Sequence, residues 1–361
     1  MREDELPFPL LFAQPVSARI FDLDLANALA PLGQMRPTGQ CDQVLMFTVR
    51  SDDHADEVMI ELMTRSVPVR RVNLDGFPDT LGFSVEFAGG RQPRAILVTP
   101  SGEIVLDEVR TVWMRRPIIN LLPSGAPRDA ALVFARSEAE TAFHGLMSLL
   151  GHAFWVNRPA SLWSTESKVL QLRVAASAGL TIPRTLVTSD PDRAREFYQA
   201  CEGRVIVKAF RGQLGPRTQF QMIYTSRVLP HHLDQFERIR NAPCIFQEEV
   251  PRDVELRVTI IGRHLFAVEI RNQSSCLDWK DESAQVAYQP TTLPANVEAA
   301  CQGLAHHWQL ASAAIDMIRR PDGEYVFLEI NAHHDWLWIQ RITGLPMVAA
   351  MAELLDSGGL Q

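Results

Sequence analysis

From residue 43 onward the chain alternates between short apolar runs and stretches of helical period. QVLMFTV at 43–49 reads as a buried strand, SDDHADEVMIELMTRS at 51–66 as an amphipathic helix with a Ser/Asp start, and VPVRRVNL at 67–74 as another strand. Strand, helix and strand in succession predict a βαβ unit in a small parallel sheet. Two further strands are expected around Ala95–Thr99 and Val112–Arg115, then a helix from about Arg128 to Leu150 and a linker over Asn157–Thr165. Helices follow near Glu166–Ala178 and Pro191–Glu202, with the strand RVIVKAF, a helix around Pro230–Asn241 and the strand CIFQEEV after them. ELRVTII and HLFAVEI predict a hairpin about Gly262 and Arg263. A helix at Ala295–His307, a second hairpin and a helix at Pro346–Leu355 complete a chain of α/β (α+β) class. Before this pattern begins, Pro7, Pro9, Pro15, Pro31 and Pro37 interrupt any period, so residues 1–40 read as an extension outside the first core.

The second hairpin carries the most chemistry. Pro321, Asp322, Gly323 and Glu324 are turn residues between two apolar, β-branched runs. If the loop has an even number of residues, 321 pairs with 324 and Asp316 lies opposite Glu329, with Asn331 following on the same face. Facing acids are destabilising unless a positive charge sits between them. Two carboxylates and an amide, with no Cys or His, suit Mg²⁺. A three-residue loop would separate the acids, and an edge hairpin with two solvated acids is the plain alternative.

Composition narrows the classes. Of 361 residues, 46% are hydrophobic and 22% charged, which describes an ordinary globular protein of two or three domains. The net charge of -8, without a concentrated basic face, argues against a nucleic-acid partner. No apolar run approaches the ~20 residues of a membrane span. Cys41, Cys201, Cys244, Cys276 and Cys301 lack CxxC spacing, so neither a disulfide framework nor a zinc site is suggested and a reducing, cytoplasmic setting is expected.

Other residues are ambiguous singly. Lys208, inside the apolar strand RVIVKAF, reads either as a phosphate ligand or as a snorkelling surface lysine. RGQLGPRT at 211–218 could cover phosphates or be an exposed loop. In the first hairpin, a three-residue loop places Glu255, Arg257, Glu269 and Arg271 on one face, whereas a two-residue loop splits Arg257 from Arg271. His333 and His334 follow the acid strand directly and could approach a substrate or transfer protons, against the commoner solvated loop. Trp279, Trp336 and Trp338 read as packing, and without a GxSxG elbow a Ser/His/Asp nucleophile has no support.

Taken in order, an apolar strand ending in Lys, a glycine loop, a strand ending in acids, an acid/Arg hairpin and a D…ExN hairpin resemble an ATP-grasp ligase. From about Asp42 onward the chain is similar to the graspetide synthetases, which cyclise ribosomal peptides of the microviridin and plesiocin kind. VRRVNLDGFP at 69–78, WMRRP at 113–117, SKVLQLRVAASAGLTIPRTLVTSDP at 167–191, LDWK at 277–280 and LEINAHHDWLWIQRITGLP at 328–346 carry that match. The resemblance implies a preATP-grasp domain over 41–155, a central domain over 156–250 and a C-terminal domain over 251–361, clamping ATP. It further implies that Lys168 and Lys208 hold the α- and β-phosphates, that Glu248, Glu249 and Val250 line the adenine edge, and that Glu255 binds ribose. Arg257 and Arg271 would face the γ-phosphate, and Asp316, Glu329 and Asn331 would hold Mg²⁺. One departure is AHH at 332–334, where members often show a Pro-Asn-Gly-type turn.

The implied reaction is attack of a peptide Asp or Glu carboxylate on the γ-phosphate, then displacement of phosphate by a Ser/Thr hydroxyl or Lys amine. The implied partner is a precursor peptide of leader plus core, and the implied assembly a homodimer. PFPLLFAQPVSARIF near the N-terminus is reminiscent of precursor leaders and suggests a built-in segment, against a loosely packed extension. Two other functions stay open: a ligase joining an amino acid to a protein or small carboxylate, and a nucleotide-binding module without catalysis.

Overall fold

The computed structural model describes residues 43–77, 80–90, 92–116, 130–210, 213–214, 221–272 and 285–359. The expectations for residues 1–40, for LDWK and for most of RGQLGPRT fall outside them. Strand β1 (Gln43–Thr48), helix α1 (Asp53–Thr64) and β2 (Val69–Asn73) form the predicted βαβ unit. Asp52 caps α1 by accepting from the His54 N–H. Strands β3 (Gly82–Glu86), β4 (Arg94–Thr99) and β5 (Gly102–Val105) make a separate antiparallel sheet. The Ala95–Thr99 strand therefore lies outside the parallel sheet. Strand β6 (Val109–Met114), helix α2 (Ala130–Ser148) and β7 (Phe154–Val156) complete the parallel order β2-β1-β6-β7. β1 reads as one apolar run because both faces are covered: Val44 and Met46 pack with α1, Leu45 and Phe47 with α2.

The expected linker contains helix α3 (Pro159–Thr165), opened by a proline whose missing N–H costs nothing at a helix start. Helix α4 (Lys168–Ser177) follows under a Ser167 cap. Then come β8 (Thr185–Thr188), α5 (Pro191–Ala200), β9 (Val205–Lys208), the short pair β10 (Gln213–Leu214) and β11 (Gln221–Met222), β12 (Ser226–Arg227), a 3-10 helix (Pro230–Asn241) and β13 (Cys244–Glu248). The order β12-β9-β13-β8 forms an antiparallel sheet over a core of Phe197, Val207, Phe236 and Phe246.

A larger antiparallel sheet follows, built from β14 (Val254–Ile261), β15 (His264–Asn272), β16 (Val286–Thr291), β17 (Ser312–Arg319) and β18 (Tyr325–Asn331) in the order β16-β15-β14-β17-β18. Helix α6 (Ala295–His307) and α4 cover one face, where Leu256, Val258, Ile315, Met317 and Phe327 are buried. Helices α7 (Leu337–Thr343) and α8 (Met347–Ser357) return the chain to α1, sharing a core with Ala55, Val58 and Leu62. Among the described residues no helix is long and apolar enough to cross a membrane.

Both hairpin registers depart from the loop lengths that would have placed the charges together. Ile261 pairs with His264, so the first loop has two residues, Gly262 and Arg263, with Gly262 at φ +58°. The three-residue alternative is overturned: Arg257 pairs with Val268 and Leu256 with Glu269. In the second hairpin the Arg320 N–H donates to the Glu324 carbonyl at 2.8 Å, leaving a three-residue loop with Gly323 at φ +87°. That odd loop alone would set Leu328 opposite Asp316. A bulge at Leu328, between the Met317 and Asp316 pairs, restores the pairing, since Met317 faces Phe327 but Asp316 faces Glu329. The acids do meet, for a reason different from the one expected.

Candidate active site

Three neighbouring strands place Arg257, Asp316 and Glu329 side by side, because Arg257 pairs with Asp316 and Asp316 with Glu329. Arg257 Nη1 donates to Asp316 Oδ1 at 2.7 Å, and both residues are only 6% exposed. Lys168 Nζ, at the start of α4, donates to Glu329 Oε2 at 2.9 Å. Asn331 Nδ2 donates to Glu329 Oε1 at 3.3 Å. A divalent cation would fit the chemistry of this donor set, since two carboxylates and an amide oxygen are hard ligands, whereas here Arg257 and Lys168 supply the positive charge beside the two acids. The Arg257 Nε is buried with no hydrogen-bond partner among the described residues, a donor left over for an anion. Among the described residues no group of three His, Cys, Asp or Glu side chains is set to hold a metal.

Of the remaining expected residues, most lie on or beside β9, β13 and β14. Lys208 ends β9, half-buried and paired across to Ile245. Glu248 ends β13 with Arg204 at 3.6 Å, Glu249 is gripped by Arg227 at 2.8 Å, and Val250 follows half-buried. Glu255 accepts from Arg252 at 2.5 Å, two residues from Arg257 on the same face of β14. Arg271 is the exception. The register puts it with Glu269 on the opposite face, where Glu269 binds Arg271 and Arg319, each at 2.6 Å. Loop parity therefore overturns the shared face expected for Arg257 and Arg271 under a three-residue loop.

Several positioning residues carried no signal in the sequence pattern. Asn157 accepts from the Ala311 and Ser312 N–H groups at 2.7 and 3.1 Å and donates to the Ser312 carbonyl at 2.7 Å, pinning the start of β17. Arg115, 4% exposed, bonds the Asp335 carboxylate and the His334 carbonyl while its Nε lies 3.4 Å from Asp52. His54 Nε2 accepts from the Trp336 and Leu337 N–H groups, both at 2.9 Å. The βαβ unit thus grips the turn that leaves the acid strand. Burial acts to raise the Asp52 carboxyl pKa, but hydrogen bonding to His54, the Arg115 charge and the Thr48 hydroxyl outweigh it and hold Asp52 well below the usual carboxylate range.

His333 is exposed, as a solvated loop residue would be. His334 is not: it is buried, with Nε2 3.0 Å from the Ser312 hydroxyl. Burial, then the nearby Arg257 and Arg115 charges, push its pKa well below the ordinary histidine value.

Residues 43–162 match the family model described as the MvdD pre-ATP grasp domain. The structure is similar to the macrocyclase MdnB from Microcystis aeruginosa MRC, 31% identical over 87% of this chain and 99% of that one, with a TM-score of 0.73. The chain belongs to the ATP-grasp macrocyclase family. This ligase is also similar to macrocyclase MdnC of the same organism, solved with its precursor peptide MdnA: 28% identity, 88% and 100% coverage, TM-score 0.78. A Chryseobacterium gregarium RiPP-associated ATP-grasp ligase, solved with ADP and a leader and core peptide, gives 27% identity, 88% and 97% coverage and TM-score 0.80. Beta-citrylglutamate synthase B of Danio rerio is 26% identical over 217 residues, 56% of this chain, and the match spans only 50% of that relative's length.

Proposed function

We propose that this ligase uses ATP to phosphorylate Asp or Glu side-chain carboxylates of a ribosomally made precursor peptide. A Ser/Thr hydroxyl or Lys amine of the same peptide then displaces phosphate and closes an ester or amide ring. The observation that carries this reading is the row Arg257, Asp316 and Glu329 on adjoining strands, with Lys168 on Glu329. In it Asp316, Glu329 and Asn331 hold Mg²⁺, which when bound would neutralise charge on the transferring phosphoryl group. Arg257 faces the γ-phosphate, and its unpartnered Nε supports that role. Lys168 and Lys208 take the α- and β-phosphates, Glu248 to Val250 line adenine, and Glu255 binds ribose. Residues 41–155, 156–250 and 251–361 serve as the three domains of the clamp, in a cytoplasmic homodimer. No side chain needs to become a covalent nucleophile.

Intact-mass analysis of a Thr/Ser- and Asp/Glu-rich candidate precursor, incubated with the enzyme, ATP and Mg²⁺, tests the reading. Loss of one water per ring is expected. Gain of an amino-acid mass would replace it with the amino-acid ligase, and full function in Glu329→Ala with the non-catalytic module.

A further inference from the structure

We propose that Gln171 is a positioning residue that locks the bulged register of β18, and so keeps Glu329 turned toward Asp316. β18 is the edge strand of its sheet. Its bulge leaves Leu328 without a partner on β17, and only the pairs of Glu329, Ile330 and Asn331 follow it. Smoothing the bulge would set Leu328 opposite Asp316 and swing Glu329 to the other face, because side chains alternate along a strand. Something must favour the irregular pairing.

Gln171 is placed to do so. Its Oε1 accepts from the Ile330 N–H at 3.1 Å and its Nε2 donates to the Ile330 carbonyl at 2.9 Å. The carboxamide thus bonds one backbone residue on both sides, as a neighbouring strand would, at the position between Glu329 and Asn331. Nε2 also donates to the Thr165 carbonyl at 2.6 Å, which fixes the amide's orientation. Gln171 is 5% exposed, so losing these bonds leaves buried polar groups unpaired. Lys168 lies one helical turn earlier on α4 and bonds Glu329 itself, so one face of one helix holds two successive residues of the strand. The N–H of Phe327, before the bulge, is held separately by the Thr181 carbonyl at 2.8 Å.

The metal part of this inference rests on the Mg²⁺ reading above, and the experiment separates the two. Amide exchange resolved at Ile330 in the parent enzyme, without metal, is expected to show strong protection. Exchange as fast as an exposed edge amide would overturn the proposal whatever the variants do. In Gln171→Met, Ile330 exchange should rise about tenfold. Mn²⁺ affinity measured by EPR in the presence of ADP should fall by roughly 10–100-fold, with metal-free ADP affinity unchanged. Gln171→Asn, which keeps the chemistry but is too short, should behave like Gln171→Met. A folded variant that binds Mn²⁺ as the parent does overturns the proposal, since a merely structural residue would lower Tm alone. A parent that takes up no Mn²⁺ with ADP removes the Mg²⁺ reading instead, while the exchange measurement still decides whether Gln171 grips the strand.

Discussion

The two hairpins of the large sheet both carry charged residues on apolar strands, and end with opposite arrangements. β14 and β15 turn through two residues and run without interruption, so Glu255 and Arg257 face one way while Glu269 and Arg271 face the other. β17 and β18 turn through three and then absorb an extra residue, so Asp316 and Glu329 meet. Whether two charges converge is decided by the parity of everything between them, loop and bulge together. Neither the turn residues nor the spacing alone supplies it.

The contrast can be broken at its charged residues first. On the proposed reading, Glu329→Ala should abolish turnover, by about 10³-fold or more, because the Mg²⁺ that would neutralise the transferring charge loses a ligand. Single-turnover measurement of ADP release checks it. Arginines come next. Arg257→Met should lower kcat by about 10²-fold with the nucleotide still bound, the scale of one lost charge-stabilising donor. Arg271→Met should change stability by no more than about 0.5 kcal/mol and leave kcat near the parent's, as for a surface substitution. Equal losses in the two variants would show that both arginines reach the reacting phosphate despite the register.

The grip of the βαβ unit predicts a pH signature. Asp52 has a folded pKa below its unfolded value, so its stabilising effect is complete above the unfolded pKa and disappears as pH falls through the folded one. Asp52→Asn should therefore lower Tm at neutral pH, with a deficit against the parent that shrinks steadily as the solution is acidified; calorimetry across that range tests it. The smallest effects lie in the turns. Gly262→Ala and Gly323→Ala should each cost about 1 kcal/mol, because both glycines have positive φ. Gly262→Ala should be the worse, since its new Cβ would meet Leu354 Cδ1 at 3.1 Å while Gly323 opens to free space. Denaturant unfolding would rank them, with activity unchanged in both.

Much was legible in the sequence where the physics is local. The run QVLMFTV, the Asp52-capped helix after it and the helix Ala295–His307 lie where apolar period and turn residues placed them. Asp316, Glu329 and Asn331 were legible as a candidate set because of residue type. Helix α3 was missed because Asn157–Thr165 offers too little apolar period to stand out from a loop. The strands β3 and β5, at Gly82–Glu86 and Gly102–Val105, are short, with only one buried residue between them, so alternation gave no signal. His334 looked solvated because nothing near it in sequence shows that Ser312 and Arg115 close over it.

What the sequence by itself determined is which segments become strands and helices and which residue types could hold phosphate and metal, since those follow from side-chain period, turn chemistry and charge. Tertiary structure alone decided the facing of Arg271, the bulge at Leu328 and the buried clamps. Asn157 reaches Ser312 across 155 positions, Gln171 reaches Ile330 across 159, and Arg115 reaches Asp335 across 220. A buried polar group takes whatever partner the packed chain brings to it, and no local pattern records which that will be.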